Sequence, residues 1–213
     1  MTTTEPRRQR MPKAQRKAQM LDIAEGVFAE RGYLAASMDE IAERVGVSKP
    51  MLYEYFGSKE GLLIGCIHRA RTELLDRTQQ AITGADGPEE VLRRGLMAFF
   101  EFIAEHKQSW SLLRQEAAIT VPSAVEEVEG IRRQQTDLIA AVIGSFDSDV
   151  DAVEAEAFAE IVVGSTERLA LWCERRPEVG PALATAYVMD VVWRGVASRL
   201  TPPGGAVRRD DGG

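Results

Sequence analysis

Hydroxyl, amine and phenol side chains are concentrated between Ser37 and Lys59, within a regular pattern of helix-initiating signals. Ser37 followed at the third position by Glu40 is the pattern of a capping box, in which each side chain bonds the other residue's backbone N–H. Ser48 is suited to cap a second helix whose first turn tolerates Pro50, since early N–H groups have no partner within a helix. These polar groups are suited to contacting phosphate oxygens and base edges.

Two short helices are predicted on either side of a tight corner at Gly46. The first helix has an apolar face formed by Met38, Ile41, Ala42 and Val45. The second places Leu52 and Phe56 inward and directs outward Lys49, Met51, Tyr53, Glu54 and Tyr55. A short exposed helix of this composition is typical of a recognition helix in the major groove of DNA. The alternative is an ordinary helical hairpin with exposed aromatic side chains.

The string MDEIAERVGVSKPMLYEYFGSKEGLL closely resembles the helix-turn-helix signature of TetR-family regulators. The preceding VFAERGY resembles the end of that family's first helix, so the resemblance covers about Arg16 to Ile67. It implies that Ser37 and Lys59 hold phosphates, that the start of the second helix faces the bases, and that the two tyrosines contact phosphate or stack at the groove edge. The DNA-binding set is Ser37, Ser48, Lys49, Pro50, Met51, Tyr53, Tyr55 and Lys59.

Glu54 is acidic and lies on or beside this reading face. It either accepts a hydrogen bond from a cytosine amino group or points to solvent, and we expect solvent.

The charge distribution fits one DNA-binding end. The chain has 213 residues and a net charge of −7, yet residues 1–20 hold six basic side chains against Glu5 alone. A basic end on an acidic body is typical of a protein that touches phosphate at one end only, and a solvated tail is the alternative. We expect a disordered basic arm over residues 1–11 and a disordered tail over 202–213.

The fold expected is all-α with about nine helices, since 3.6-residue periodicity runs almost throughout and no period-two strand is evident. It comprises an N-terminal three-helix helix-turn-helix DNA-binding domain over residues 12–60 and a C-terminal helical bundle over 61–201. The resemblance implies that the second domain senses a ligand and dimerises. A hydrophobic content of 45% is enough for a packed core.

The segment from Gly95 to Ile103 is apolar on more than one face, as expected of a helix buried on several sides. With nearby aromatic and charged side chains it is a candidate ligand site, and ordinary core packing is the competing explanation. The candidate ligand-binding residues are Phe99, Phe102, Trp110, Arg114 and Trp172.

Two late helical patterns, Val153 to Glu174 and Ala182 to Leu200, mix small and large apolar residues. Small residues permit close helix approach, and in the resembling family such a pair packs against its twofold mate. Intramolecular packing is the alternative. The candidate dimer residues are Ile161, Leu169, Met189 and Trp193.

The sequence does not support a catalytic, metal-binding or disulfide site. The two cysteines, Cys66 and Cys173, form no C-x-x-C pair, and no hydrolase, metalloprotease or phosphate-loop motif occurs, so no cofactor or metal is expected. Asp147, Asp149 and Asp151 imitate a calcium loop without its glycine or final glutamate, and are expected to cap the next helix. Neither a signal peptide nor a membrane-spanning run is present, which favours the cytoplasm and no membrane partner.

The sequence therefore predicts a homodimeric regulator that binds a palindromic double-stranded DNA operator. We expect a repressor that a small, mainly apolar effector of unknown identity releases from DNA. The alternatives are a ligand-independent dimeric DNA-binding protein and, less well supported, a small helical enzyme.

Overall fold

The computed structural model describes residues 11–113, 121–146 and 150–195. These residues form nine α-helices and contain no β-strand, which confirms the predicted all-α fold. The helices are α1 (Lys13–Ala35), α2 (Met38–Val45), α3 (Lys49–Phe56), α4 (Lys59–Ile82), α5 (Gly87–Glu105), α6 (Lys107–Leu113), α7 (Pro122–Phe146), α8 (Ala152–Cys173) and α9 (Pro181–Val188), and a π-helical turn, Met189–Trp193, follows α9.

Several predictions concern residues outside the described ranges. These are the disordered arm, apart from Met11, the disordered tail, the candidate ligand residue Arg114, and two acidic residues of the loop before α8, Asp147 and Asp149. Asp151 is described, and its carboxylate accepts a hydrogen bond from the Glu154 amide at 2.8 Å. Asp151 therefore caps α8, as predicted.

The chain divides into two compact units. The first unit is Met1–Arg71 with Lys107–Val128, and the second is Thr72–His106 with Glu129–Gly213. Helix α4 thus supplies residues to both units, and the first unit is made of two separate stretches of sequence. The predicted boundary at residue 60 between a DNA-binding domain and a sensing domain stays a prediction. The boundary between the two compact units lies later, within α4 after Arg71.

Apolar side chains from α1, α2, α3, α4 and α6 form the core of the first unit. Phe28, Ile41 and Leu52 are among the most deeply buried of them. Burying a side chain of this size stabilises a fold by about 1.5–3 kcal/mol, so this core fixes the helix-turn-helix. Helix α1 loses helical geometry at Gly32, whose φ of 72° is in the region that favours glycine.

Helix α5 is at the centre of the second unit. Leu96, Phe99, Phe100, Phe102 and Ile103 of this helix are all buried, as expected for a helix apolar on several faces. The Phe99 and Phe100 rings meet edge to face at 5.4 Å. Among the described residues, no helix combines the length and apolarity needed to cross a bilayer.

Candidate nucleic-acid interface

The corner between α2 and α3 is built as the sequence predicts. Gly46 ends α2 in the left-handed conformation, with φ 77° and ψ 37°, and its N–H donates to the Ala42 carbonyl at 2.9 Å. The Val47 amide donates to the same carbonyl at 3.0 Å. Leu52 of α3 is completely buried, which fixes the face that α3 directs outward.

Only half of the predicted capping box forms at the start of α2. The Glu40 amide donates to Ser37 Oγ at 3.1 Å, so the serine caps the helix. The Glu40 carboxylate instead accepts hydrogen bonds from Arg44 at 2.7 Å and Arg31 at 3.5 Å. Two arginines are stronger partners for a carboxylate than one backbone amide, so the predicted return bond to Ser37 is wrong.

Ser48 occupies the N-cap position of α3, but its hydroxyl makes no capping bond to that helix. Its backbone carbonyl accepts from the Met51 amide at 3.0 Å instead. The predicted side-chain cap is therefore wrong, and Pro50 explains part of it, because proline removes one of the amides that a cap would bond. Ser48 and Pro50 are exposed at the end of the helix that is predicted to meet DNA.

Lys49 forms an ion pair that the sequence analysis did not predict. Its Nζ donates to Asp39 Oδ2 at 2.8 Å, which joins the first turn of α3 to the first turn of α2. The hydrogen bond and the charge of Asp39 raise the pKa of Lys49, so the ammonium is charged at neutral pH. Met51, two residues further along α3, is half-buried.

The two tyrosines of α3 differ in their surroundings. Tyr53 is 42% exposed, whereas Tyr55 is half-buried and has the Lys13 ammonium 5.6 Å from its ring centre. Glu54 is exposed, which agrees with the expectation that it points to solvent. The tyrosine available to DNA in this conformation is therefore Tyr53.

Lys59 is held at the start of α4. Its Nζ donates to the Leu34 carbonyl at 3.2 Å and lies 4.5 Å from the centre of the Tyr33 ring. Partial burial lowers the pKa of Lys59. Ser58 caps the same helix, since its Oγ accepts from the Gly61 amide at 2.9 Å. A cation beside a helix N-terminus is suited to binding phosphate.

A buried carboxylate in the first unit was not predicted from the sequence. Glu25 is only 4% exposed, and it accepts hydrogen bonds from Arg69 Nε at 3.1 Å and from the Ser109 hydroxyl at 2.9 Å. Burial raises the pKa of Glu25, while Arg69 opposes that shift. Glu25 lies on the otherwise apolar face of α1, and this position was the one sequence signal that its carboxylate is buried. These bonds join α1, α4 and α6.

The second unit contains a cavity of about 130 Å³. Side chains of α4, α5, α7 and α8 line it, together with Trp193 of the π-helical turn. Of the candidate ligand residues, Phe99 lines this cavity. Phe102 is fully buried and stacks on His106 at 5.0 Å, and Trp172 is half-buried beside Arg176.

Trp110 is buried in α6, which belongs to the first unit, so it does not line the cavity of the second. The sequence groups Trp110 with Phe99, because helix order alone does not show which unit a helix joins. The contribution of α7 and α8 to the cavity could not be predicted from helix order either.

The candidate dimer residues lie on different faces. Ile161 is 59% exposed on α8, whereas Leu169 and Met189 are half-buried. Trp193 lines the cavity, and no sequence pattern indicated this, because the π-helical turn changes the helical phase before it. Of the four residues, Ile161 is the one with the exposure that an interface residue needs.

Two family profiles match the chain in order. "Bacterial regulatory proteins, tetR family" matches residues 20–66, and "Tetracyclin repressor-like, C-terminal domain" matches residues 88–195. The chain belongs to the TetR family. The prediction made from the Ser37–Lys59 segment is thus confirmed, and the match of the second profile extends the TetR assignment well beyond that segment.

Other transcriptional regulators are similar to this chain over different lengths. The HTH-type transcriptional activator FasR of Mycolicibacterium smegmatis is 32% identical over 189 residues, 88% of this chain and 86% of that protein. The HTH-type transcriptional repressor KstR2 of the same organism is 33% identical over 105 residues, 49% of this chain and 51% of that protein. A TetR-like regulator from Rhodococcus sp. RHA1 has 32% identity and a TM-score of 0.74, covering 88% of this chain and 99% of that one.

Membership of the TetR family makes this chain a DNA-binding transcriptional regulator. The family is not enzymatic, so the hypothesis of a small helical enzyme is excluded.

Proposed function

We propose that this regulator binds a palindromic operator as a homodimer and that a small, mainly apolar effector releases it. The observation that carries the proposal is the cavity in the second unit, whose lining is mostly aliphatic and aromatic. In this proposal the protein represses transcription in the cytoplasm until the effector binds.

The exposed start of α3 is the proposed reading surface. Lys49, Pro50 and Tyr53 are exposed there, and Met51 is half-buried beside them. Ser37, Ser48, Tyr55 and Lys59 surround this turn and would contact phosphates or the groove edge. Two such helices in a twofold dimer must lie about 34 Å apart to enter successive major grooves, which is why the operator is expected to be palindromic.

The proposed dimer surface is the exposed apolar face of α8 and α9. Val153 and Ile161 are 75% and 59% exposed, and both lie on one side of α8. Leu183 and Tyr187 of α9 are 42% and 43% exposed, and Val191 of the following π-helical turn is 78% exposed. Contiguous exposed apolar side chains of this kind mark interaction sites, and a self-complementary patch suits a twofold axis.

Helix α4 is the proposed link between effector and operator. It begins at Lys59, and its later residues Leu75, Thr78 and Ile82 line the cavity. An effector that binds one tilt of α4 better than another shifts the population of DNA-competent dimers, by at most its difference in affinity. Couplings of about 1–3 kcal/mol, or about 5–150-fold, are typical.

The test is to measure operator affinity by fluorescence anisotropy with and without candidate effectors, and effector affinity by calorimetry with and without operator. Linkage requires the two factors to be equal. An effector that binds with the same affinity in both conditions would show that the second unit does not control DNA binding.

Transcriptional activation is a second candidate, favoured by the similarity to FasR over 88% of this chain. The two candidates differ in a reporter assay with the operator upstream of a promoter. Expression that falls when the protein is supplied supports repression, and expression that rises supports activation.

A further inference from the structure

The cavity of the second unit has few polar groups, and most of them are already engaged. Among the described residues that line it, the polar side chains are Thr78, Gln135, Thr166, Glu167 and the indole of Trp193. The Thr78 hydroxyl donates to the Leu74 carbonyl at 2.9 Å, and the Thr166 hydroxyl donates to the Val162 carbonyl at 2.6 Å. Both hydroxyl protons are therefore used within their own helices.

Glu167 is the single charged residue of this described lining, and it is paired with an arginine. Arg132 reaches it from α7, with Nε 3.2 Å from both carboxylate oxygens and a terminal nitrogen 3.1 Å from Oε2. Both side chains are about three-quarters buried. Arg132 also contacts Glu129, whose side chain is 44% exposed and does not line the cavity. The carboxylate that does line the cavity is therefore already held by an arginine, and the second carboxylate is screened by solvent.

Gln135 is different, because no described residue forms a hydrogen bond with its half-buried side chain. Its amide has two donor hydrogens and an acceptor oxygen. Gln135 is one turn from Arg132 on α7, whereas the residues further along that helix that line the cavity are Leu138, Ile139, Val142 and Ile143. Over the eight residue steps from Gln135 to Ile143 the helix rises about 12 Å. The lining is thus polar at one end of this stretch and apolar over the remainder.

The size of the cavity limits its occupant. A cavity of about 130 Å³ is close to the roughly 150 Å³ of an engineered apolar cavity that holds benzene. A ring or a short alkyl unit therefore fits without any rearrangement of the helices.

From the closed Arg132–Glu167 pair and the free Gln135 amide, we infer that the effector site selects an uncharged molecule with an apolar body and one hydrogen-bonding group seated on Gln135. This inference rests on the proposed function and adds the charge and polarity of the ligand. An ammonium or carboxylate would lose its hydration on entering and would find no free counter-ion among the described lining residues, so the site disfavours it.

Three probes of equal size test the selection: benzyl alcohol, benzylamine and benzoate at neutral pH, titrated into the full chain while tryptophan fluorescence is followed. Trp193→Phe identifies the part of the signal that comes from the cavity. We expect benzyl alcohol to bind at least about ten-fold more tightly than either ion, because a buried charge without a partner is costly. Equal or tighter binding of benzylamine or benzoate, or no cavity signal from any probe, would overturn the inference.

Two substitutions test the roles of the named residues. Gln135→Leu should weaken benzyl alcohol about ten-fold and leave toluene unchanged or tighter, since a site without its polar group no longer favours a hydroxyl. Arg132→Gln should let benzylamine bind, because Glu167 then lacks its counter-ion, and the further change Glu167→Gln should abolish that gain. If these variants melt at the wild-type temperature and still bind the probes with the wild-type order of affinities, the roles assigned to Gln135 and Arg132 are contradicted.

Operator release is measured separately with the same probes by fluorescence anisotropy. Selective binding of benzyl alcohol without release overturns the proposed regulation and leaves the ligand class standing. Release caused by a charged probe that gives the cavity signal overturns the ligand class and leaves the regulation standing.

Discussion

Lys49 Nζ lies 2.8 Å from Asp39 Oδ2, so the first residue of α3 is tied to the first turn of α2. The Lys49 side chain is 44% exposed and that of Asp39 is 72% exposed. Exposed pairs of this kind contribute little to folding stability, so the pair acts mainly on the position and charge of the lysine. Asp39 partly neutralises the surface that is proposed to meet a polyanion.

We predict opposite effects of removing the two partners. Lys49→Ala should weaken operator binding on the order of ten-fold or more, as expected for a lost base contact. Asp39→Asn should strengthen binding to any duplex by roughly three- to ten-fold at low salt and reduce sequence discrimination, because an acidic group near phosphates is removed. Anisotropy titrations with operator and scrambled duplexes measure both effects, and unchanged operator affinity of Lys49→Ala would refute the recognition-helix assignment.

Lys59 is predicted to bind phosphate without reading sequence. Lys59→Ala should weaken operator and scrambled duplexes about equally and lower the slope of log affinity against log salt by about 1. Lys59→Arg, which keeps the charge, is the matched control and should retain the slope. A loss restricted to the operator would assign Lys59 a role in base readout instead.

The dimer surface is tested at Ile161. Ile161→Glu should give a monomer in sedimentation at micromolar concentration, because the buried carboxylate would be unpaired at a twofold contact. In an isolated chain the same change costs no more than about 0.5 kcal/mol, as is usual for an exposed position. Val125→Glu, which changes a 37% exposed residue outside α8 and α9, is the control and should remain dimeric. A wild-type monomer would contradict the proposal directly.

Gly61 is required by the tight approach of α4 to the end of α3. A Cβ atom at this position would lie 2.1 Å from the Phe56 carbonyl oxygen. Gly61→Ala should therefore destabilise the fold by about 1–3 kcal/mol, as for other overpacked sites. Gly130→Ala, within α7 and with no atom inside 4 Å, should instead stabilise it by about 0.5–1 kcal/mol. Thermal unfolding measures both, and equal melting temperatures would show that the α3–α4 junction relaxes freely.

Glu25 is predicted to make stability depend on pH. Because burial raises the pKa of Glu25 above its ordinary range, its contribution to stability is full below that range and is lost as pH rises. The melting temperature of the wild type relative to Glu25→Gln should therefore fall between acidic and neutral pH. Ser109→Ala removes a donor to the buried carboxylate and should cost about 1–2 kcal/mol at neutral pH. A constant difference between wild type and Glu25→Gln would show that Arg69 fully offsets the burial.

Sequence alone could predict the features that depend on neighbours in the chain. The glycine at 46, the serine cap at 37 and the apolar stripe of α2 all act over three or four residues, and each is present in the structure.

Features that depend on distant partners could not be read from the sequence. The Glu25–Ser109 bond joins residues 84 positions apart, and no local pattern marks either of them as a partner. Trp110 and Phe99 were grouped because both are aromatic and close in sequence, but the chain places them in different units. Trp193 faces the cavity because a π-helical turn, which has no reliable sequence signal, alters the phase of the last helix.

The discontinuous first unit restricts how regulators of this kind can be recombined. Because Lys107–Val128 completes the unit that begins at the N-terminus, a fragment cut after Arg71 would lack Ser109 and Trp110 and leave the apolar face of α1 uncovered. A chimera that joins the first unit of this protein to the sensing domain of another regulator must therefore include both Met1–Arg71 and Lys107–Val128. Otherwise, α6 of the recipient must be redesigned to pack against α1 of the donor. Single-crossover hybrids are expected to aggregate, whereas hybrids with matched α1 and α6 should fold and keep the operator preference of the donor.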